Sequence, residues 1–288
     1  MLIKFSVKAQ GTSHIEKETP CQDAVTAHLG KNKTMGIACV ADGHGGSKYF
    51  RSEKGSIFAV QVAERALMEF YRAIAIEKSA FFHRNSPNED IKDNNIRSKL
   101  KELEGNIIYK WQNTVIKDME QNPFTEKEIE ICKDNNIIID NYENLTYVYG
   151  STLLAGLVSD SFWFVIQIGD GQCVVLENDD NIIFPITEDE RLAFGRTTSL
   201  CDNNAIENFR EVFGINKIIG LTVATDGITD SFEPEKYLQF NKELHYNFTH
   251  FPEKAELELS EFLPELSERG SRDDVSIAGI FRMEDKKI

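Results

Sequence analysis

Four aspartates of this 288-residue chain stand where a short apolar run meets a turn. Asp42, Asp170 and Asp226 follow such runs and precede a glycine, and Asp273 comes just before another run. Because strands hold their ends rigidly, carboxylates in these places can converge on one point with fixed geometry. Hard oxygen ligands of this kind, with no thiolate among them, suit Mg²⁺ or Mn²⁺. The four positions therefore predict a site for divalent cations.

Each of these motifs also has a plainer interpretation. A single Asp-Gly after a strand is commonly only a turn, because Asp bonds its own backbone and Gly accepts a positive φ. Four such places together favour a shared site, and the first of them continues as Asp42-Gly43-His44-Gly45-Gly46. The glycines there allow a ligand to approach the backbone closely. His44 alone would be an ordinary hydrogen-bonded histidine, but between an Asp and two glycines it favours a functional role.

The surrounding sequence predicts the elements that must position these residues. Two amphipathic patterns, over 56–76 and near 98–121, indicate long helices, and 253–266 indicates another. Thr125 with Glu128 predicts a capping box at the start of a short helix. The polar segments 11–23 and 77–96 are predicted to be loops. Alternating or continuous apolar runs predict strands over 3–9, 35–41, 152–158, 162–168, 173–177, 218–224 and 275–281.

The order of these elements bears on domain organisation. Strands near both ends of the sequence flank a central helical block, and no internal repeat or low-complexity linker divides them. Close spacing of the strands after residue 147 indicates antiparallel hairpins. We therefore expect one α+β domain over 1–288, with a helical and loop insertion around 77–144.

Composition excludes several classes of protein. Asp and Glu number 47 against 32 Lys and Arg, so the formal charge is −15, which argues against binding nucleic acid or an anionic membrane surface. Hydrophobic residues at 41% are enough to build a core. No apolar run is long enough for a transmembrane helix and no signal peptide is evident, so a cytoplasmic location is expected. The five cysteines lack C-x-x-C spacing, which favours reduced thiols over disulfides or a zinc site.

Six short motifs in sequence order carry a family resemblance. They are Gln22-Asp23-Ala24, Asp42-Gly43-His44-Gly45-Gly46, Gly150-Ser151-Thr152, Gly169-Asp170-Gly171, Asp226-Gly227-Ile228-Thr229-Asp230 and Ser271-Arg272-Asp273-Asp274-Val275-Ser276. Together they resemble the metal-dependent protein phosphatases of the type 2C (PPM) family, in a divergent bacterial-type branch. The resemblance implies a fold of two packed antiparallel β-sheets flanked by helices, a four-layer α-β-β-α sandwich. It also implies removal of phosphate from phosphoserine and phosphothreonine.

The resemblance further implies a centre of two Mg²⁺ or Mn²⁺ ions. Asp42 would bridge the two ions, the Gly43 carbonyl would be a further ligand, and Asp226 and Asp273 would complete the set. Two such ions offset the charge of a phosphomonoester and lower the pKa of a bridging water, so that hydroxide forms near neutral pH and attacks phosphorus in line.

Other residues take their expected roles from the same resemblance. Asp170 and Asp230 match positions that, with Asp226, hold a third and weaker ion in many members. His44 would be the general acid that protonates the leaving serine or threonine oxygen. Asp23 would lie in the outer shell and orient metal-bound water, beside Gln22, which replaces the family's usual acidic or amide residue.

The sequence departs from the family pattern at the expected phosphate-binding arginine. Residues 13–21 contain no Arg, although most members carry one shortly before the position of Asp23. His14 or Lys17 could supply the positive charge, without the bidentate fork of Arg; the alternative is an ordinary solvated loop. The family's flap element is not evident, and 186–190 is the nearest candidate.

The leading prediction is an Mg²⁺- or Mn²⁺-dependent protein serine/threonine phosphatase. One rival is a hydrolase of the same fold that acts on small phosphomonoesters. Another is a pseudophosphatase that binds a phosphoprotein without turnover; the missing Arg favours it, whereas the retained Asp42, His44, Asp226 and Asp273 oppose it. The expected partners are a phosphoprotein substrate and a cognate Ser/Thr kinase, with the enzyme itself a monomer.

Overall fold

Two antiparallel sheets form the centre of the molecule. The computed structural model describes residues 1–76, 89–139, 141–178, 181–187 and 197–283. Within these ranges each sheet has five strands, in the orders β1-β10-β9-β6-β7 and β2-β3-β4-β5-β8. The strands are β1 (Leu2–Ala9), β2 (Ala24–Leu29), β3 (Met35–Ala41), β4 (Leu153–Ser159), β5 (Trp163–Ile168), β6 (Gln172–Leu176), β7 (Ile182–Ile183), β8 (Arg210–Gly214), β9 (Gly220–Ala224) and β10 (Val275–Arg282).

Helices cover the outer face of each sheet. The α-helices within the described ranges are α1 (Thr12–Glu16), α2 (Ser52–Ile76), α3 (Glu89–Gln121), α4 (Glu126–Asp134), α5 (Ala205–Asn208), α6 (Asp226–Thr229), α7 (Pro234–His250) and α8 (Pro252–Arg269). Apolar residues of α2 and α3 form one core with β3, β4 and β5. Those of α7 and α8 form another with β1, β9 and β10. The predicted four-layer α-β-β-α sandwich is therefore confirmed.

The strand β4 shows why its sequence is continuously apolar. Leu153, Ala155 and Leu157 belong to the core beneath α2 and α3, whereas Leu154 and Val158 belong to the core between the sheets. Successive side chains of a strand point to opposite faces, and both faces of this strand are covered. A half-exposed strand would alternate apolar and polar residues instead, as the predicted pattern of β1 does.

Two loop predictions differ from the structure. The segment 11–23 contains the short helix α1, none of whose residues is buried. Of the predicted loop 77–96, residues 89–96 are the first turns of α3, so the loop prediction is wrong there; residues 77–88 lie outside the described ranges. The predicted capping box is confirmed, because the Thr125 side chain accepts from the Glu128 N–H and the Glu128 carboxylate accepts from the Thr125 N–H.

A buried arginine fastens the insertion to the helix that follows the Asp-Gly-His-Gly-Gly loop. The Arg51 side chain is only 6% exposed. Its Nε lies 2.6 Å from Glu128 Oε1 and its Nη2 lies 3.0 Å from Glu128 Oε2, so the pair with α4 is bidentate. Its Nη1 donates to the Asn122 carbonyl and the Tyr149 hydroxyl, and its guanidinium lies 4.7 Å from the Phe124 ring centre. One side chain thus holds the turn between α3 and α4.

Replacing Arg51 with Met is expected to destabilise the protein by about 3–5 kcal/mol, because it leaves the Glu128 carboxylate and several acceptors with no charged partner. Urea unfolding, followed by circular dichroism, measures the loss. Arg72→Met is the matched control, since Arg72 is an exposed residue of α2, the helix that begins directly after Arg51. If the two variants lose the same stability, the Arg51 cluster does not fasten the insertion.

Two further expectations concern cysteines and membranes. All five cysteines are free thiols, and Cys39, Cys132 and Cys173 are buried. In the part of the chain that the structure describes, no helix combines the length and the apolar character that crossing a membrane requires.

Candidate active site

The registers of the sheets bring the Asp motifs to one end of the sandwich. The end of β3 lies beside the start of β2, through the pair Ala41 and Ala24, so Asp42 and Asp23 are neighbours. The end of β9 lies beside the start of β6, through the pair Ala224 and Gln172. In an antiparallel sheet, the C-terminal end of one strand lies beside the N-terminal end of its neighbour. Motifs that follow one strand and precede the other are therefore close in space, although they are far apart in the sequence. We call this end of the sandwich the rim.

Three carboxylates meet at this rim. One oxygen each from Asp42, Asp170 and Asp226 lies within 4.8 Å of the other two. Asp230 lies at the C-terminal end of α6, partly open to solvent, and its backbone N–H donates to the Asp226 carbonyl at 2.7 Å. Asp273 is in contact with His14 and Asp274 instead. The structure thus places the predicted ligands in a central group of three, with Asp230 and Asp273 beside it.

Burial and mutual repulsion raise the pKa values of several carboxylates at this rim. Burial raises the pKa of Asp42 well above its usual value, and neighbouring carboxylates, Asp23 first among them, raise it further. Burial likewise raises the pKa of Asp226 to about 8, with Asp170 the strongest neighbouring charge. Burial also raises the pKa of Asp230, helped by the charge of Asp170. Carboxylates crowded in this way are stabilised as anions when a cation lies between them.

The Gly-Ser-Thr motif holds the Asp-Gly-His loop by its backbone. The Thr152 N–H donates to the Asp42 carbonyl at 2.8 Å, and the Asp42 N–H donates to the Thr152 hydroxyl at 2.9 Å. Gly43 forms a bridge with Ser151. A Cβ on Gly43 would lie 2.6 Å from the Ser52 carbonyl oxygen, so this position requires glycine. The loop is therefore fixed on both sides.

His44 lies two residues beyond Asp42, partly buried against an aromatic ring. Its backbone N–H donates to the Gly150 carbonyl at 3.0 Å. Its imidazole ring packs edge-on against the Tyr49 ring, with the ring centroids 5.0 Å apart. A Cβ on Gly150 would lie 2.6 Å from His44 Cδ2, so glycine there leaves room for the imidazole. Burial lowers the pKa of His44, while the charges of Asp170 and Asp202 oppose this.

Asp23 is a buried neighbour of the carboxylate group. It is 1% exposed, and its Oδ2 accepts from the Thr225 hydroxyl at 2.8 Å, next to Asp226. Burial raises the pKa of Asp23 to about 7, although this hydrogen bond opposes the rise. The Gln22 carbonyl accepts from the Gly43 N–H at 3.1 Å, and the Gln22 amide donates to the Ser52 hydroxyl at 2.7 Å. Gln22 therefore braces the loop that carries Asp42.

The two residues predicted to bind phosphate lie in different surroundings. His14, on α1, has its Nδ1 2.8 Å from Asp274 Oδ2 and its Nε2 3.8 Å from Asp273 Oδ1. Lys17 is exposed at the C-terminal end of the same helix. In the flap candidate, the Thr187 carbonyl accepts from Arg210 at 3.1 Å, and residues 188–190 lie outside the described ranges.

Sequence reasoning missed Asp274, the more buried member of the Asp273-Asp274 pair. Asp274 is 3% exposed, whereas the Asp273 side chain is 54% exposed. Both occur in the quoted motif, but nothing in a doublet of identical residues indicates which member turns inward. Asp202 and Lys48, whose charges act on His44, were also missed because their motifs are ordinary turn sequences.

The donor set fits divalent cations. Oxygen atoms from three carboxylates converge, burial and mutual repulsion raise the pKa values of Asp42 and Asp226, and no cysteine takes part in the group. Such a set suits Mg²⁺ or Mn²⁺. Asp42, Asp170 and Asp226 are the residues that would hold an ion here.

Comparison with known families agrees with this fold. A family model for protein phosphatase 2C matches residues 10–264. Because the match spans most of the sequence, the chain belongs to the protein phosphatase 2C family. No curated protein matches it significantly.

Solved structures with the same fold include bacterial phosphatases. The catalytic domain of the serine/threonine protein phosphatase PstP, crystallised with two manganese ions, superposes with a TM-score of 0.55 at 17% identity, covering 98% of this chain and 99% of that chain. PstP/Ppp of Mycobacterium tuberculosis gives 0.54 at 16%, covering 98% and 99%. Stp1 of Staphylococcus aureus gives 0.54 at 15%, covering 99% and 96%. At these identities the likeness shows a shared fold.

Proposed function

We propose that this protein is an Mg²⁺- or Mn²⁺-dependent phosphatase that hydrolyses phosphoserine and phosphothreonine in proteins. The observation that carries the proposal is the convergence of Asp42, Asp170 and Asp226 beside His44, in a chain of the protein phosphatase 2C family. The PstP and Stp1 structures are of serine/threonine phosphatases, which supports the same substrate class.

Divalent ions held by these carboxylates would offset the charge of the phosphate and lower the pKa of the attacking water. The chain itself supplies the remaining parts. Asp23, anchored by Thr225, would orient water at the edge of the carboxylate group. His44 would donate a proton to the leaving oxygen, because a serine or threonine alkoxide is too basic to depart unprotonated. Proposed roles for Gly43, Asp230 and Asp273 as further ligands follow the family pattern.

The direction of substrate binding follows from the position of His44. Since the leaving oxygen must lie next to this imidazole, the peptide part of the substrate would lie on the same side. Tyr49 borders that side, with the Lys48 ammonium 4.7 Å from its ring centre. The proposed partner is a phosphoprotein; a cognate Ser/Thr kinase, a monomeric state and a cytoplasmic location remain predictions.

The direct test is release of inorganic phosphate from a phosphothreonine peptide by the purified protein, with Mn²⁺, with Mg²⁺ and with EDTA. We expect release with either ion, and loss of release with EDTA that is restored when Mn²⁺ is added back in excess. The control is the same peptide with unmodified threonine, which reports phosphate contamination.

Two outcomes of this assay would contradict the proposal. Absence of release under every metal condition, together with binding of the phosphopeptide, would identify a pseudophosphatase. Release from small phosphomonoesters but from no phosphopeptide or phosphoprotein would identify the other rival hydrolase.

A further inference from the structure

A second cluster of ligand-type side chains lies beside the central carboxylate group. One ligand atom each from His14, Asp273 and Asp274 lies within 4.8 Å of the other two. The cluster joins α1 to the turn before β10. The Ser13 N–H donates to the Arg272 carbonyl at 2.9 Å, which fixes the backbone of one segment on the other. His14 is thus held against the Asp doublet by main-chain contacts.

Within this cluster, Asp274 is a buried carboxylate whose acceptor sites are already engaged. Its Oδ1 accepts from the Gly11 N–H at 2.6 Å, and its Oδ2 accepts from the Gln22 N–H at 2.6 Å. The same Oδ2 lies 2.8 Å from His14 Nδ1. With three N–H groups around it, Asp274 is placed to orient the imidazole rather than to bind an ion.

The pairing with Asp274 determines which nitrogen of His14 is available. A buried carboxylate beside Nδ1 favours the tautomer in which Nδ1 carries the hydrogen, so Nε2 presents a lone pair. Histidines that bind metals almost always donate their other ring N–H to a carboxylate or carbonyl in this way. The free nitrogen of His14 points toward Asp273, at 3.8 Å from its Oδ1.

This separation suits two ligands of one ion. Ligand atoms about 2.1 Å from a shared ion lie roughly 3 Å apart at right angles and roughly 4.2 Å apart across the ion. The distance of 3.8 Å falls between these limits. Asp273 is 54% exposed and His14 is 15% exposed, so an ion can reach both. The charge of Asp273 also acts on Asp42 and Asp226, so this cluster adjoins the central group.

We propose that His14 is a nitrogen ligand of the ion that Asp273 binds, with Asp274 as the residue that positions the imidazole. The proposal rests on the proposed function only in assuming a divalent metal centre at this rim. It differs from the sequence-based hypothesis that His14 binds phosphate. Because Mg²⁺ strongly prefers oxygen ligands whereas transition ions accept imidazole, His14 should bias this centre toward Mn²⁺ over Mg²⁺.

The test reads the metal directly, with no substrate present. Pulsed electron paramagnetic resonance of the Mn²⁺-loaded protein detects ¹⁴N nuclei bound to the ion, and labelling histidine with ¹⁵N changes that signature without any substitution. We expect a histidine coupling in the wild-type protein that is lost in His14→Gln. The coupling should be retained in His44→Gln, which tests the other histidine near the site. It should also be retained in His28→Gln, a control at a histidine on β2 that lies beside Glu64.

A second measurement tests metal selectivity. Titration of the metal-free proteins with Mn²⁺ and with Mg²⁺ should show that His14→Gln weakens Mn²⁺ binding by about 10–100-fold, the range known for perturbed metal sites, and Mg²⁺ binding by less. Asp274→Asn should weaken Mn²⁺ binding in the same direction, because it disturbs the partner of Nδ1. Circular dichroism of each metal-free variant separates loss of the ligand from loss of the fold.

The proposal is overturned if wild-type protein shows no histidine coupling, or if the coupling survives in folded His14→Gln. It is also overturned if His14→Gln leaves both metal affinities unchanged and only raises KM for a phosphopeptide, which would show that His14 binds phosphate. Failure of the proposed function gives a different result. If the Mn²⁺ signal shows histidine coupling but the protein releases no phosphate, His14 is a metal ligand and the proposed phosphatase activity is wrong.

Discussion

Replacing Asp226 with Asn is expected to reduce phosphate release by at least about 100-fold, since even residues that only support metal ligands typically cost 10–100-fold. The same substitution is expected to make the metal-free protein more stable. Both effects follow from the position of Asp226, which is largely buried and lies among carboxylates that repel it until a cation joins them. Activity is measured with a phosphothreonine peptide and Mn²⁺, and stability by thermal unfolding in EDTA.

The stability effect has a defined pH window. The pKa of Asp226 is raised from 3.8 to about 8 in the folded state, so the folded protein holds this proton more tightly than the unfolded chain. Its stabilising contribution is therefore complete below about pH 4 and is lost as pH rises toward 8. The slope is at most about 1.4 kcal/mol per pH unit, and solvent that reaches the carboxylate reduces it. Asp23, with a pKa raised to about 7, contributes in the same direction.

We therefore expect the metal-free wild type to lose stability from pH 5 to pH 8, and Asp226→Asn to lose less. Excess Mn²⁺ should make the wild type more stable than Asp226→Asn. An ion present at 100 times its Kd for the folded state stabilises that state by about 2.7 kcal/mol. Asp134→Asn, at an exposed position of α4, is the control and should change neither curve. If Asp226→Asn is less stable than wild type in EDTA at pH 8, the carboxylates are not under mutual repulsion.

The second large effect concerns His44. Replacing His44 with Ala is expected to slow hydrolysis of a phosphoserine or phosphothreonine peptide by about 10²–10⁴-fold, the usual contribution of a general acid. Hydrolysis of p-nitrophenyl phosphate should fall far less, because p-nitrophenolate is a weak base and departs without a proton. The measurement is kcat for both substrates with the same enzyme preparation and saturating Mn²⁺.

Two comparisons make the His44 experiment decisive. His28→Ala, on β2, should leave both activities unchanged, which excludes a general effect of removing an imidazole. Unchanged Mn²⁺ affinity in His44→Ala would separate proton donation from damage to the adjacent Asp42 loop. Equal losses on both substrates would refute the general-acid role.

The elements that the sequence predicted best are those with strong local patterns. β3 is apolar throughout because both of its faces are buried, so it was predicted over its full range. The capping box at Thr125 needs only contacts within four residues. Convergence of the Asp motifs was also predictable, because strand ends fix the direction of the chain at each motif.

Several missed features depend on contacts between distant segments. α1 has no apolar stripe, since none of its residues is buried, and its backbone is held by the turn around Arg272. The first turns of α3 are polar, so nothing local distinguishes them from a loop. The pairing of His14 with Asp274 joins residues 260 positions apart, and no periodicity in either segment predicts it.

The position of β10 has a consequence for biosynthesis. This strand, the last in the described sequence, lies between β1 and β9, and Asp274 just before it binds the backbone of Gly11, 263 residues earlier. A nascent chain on the ribosome can carry Asp42 and Asp226 while Asp273, Asp274 and β10 are still untranslated. The proposed metal centre, with Asp273 among its ligands, therefore cannot be completed until residues 273–282 have been translated. We expect a product that is truncated before residue 273 to bind metal incompletely, because it lacks this ligand and the strand between β1 and β9.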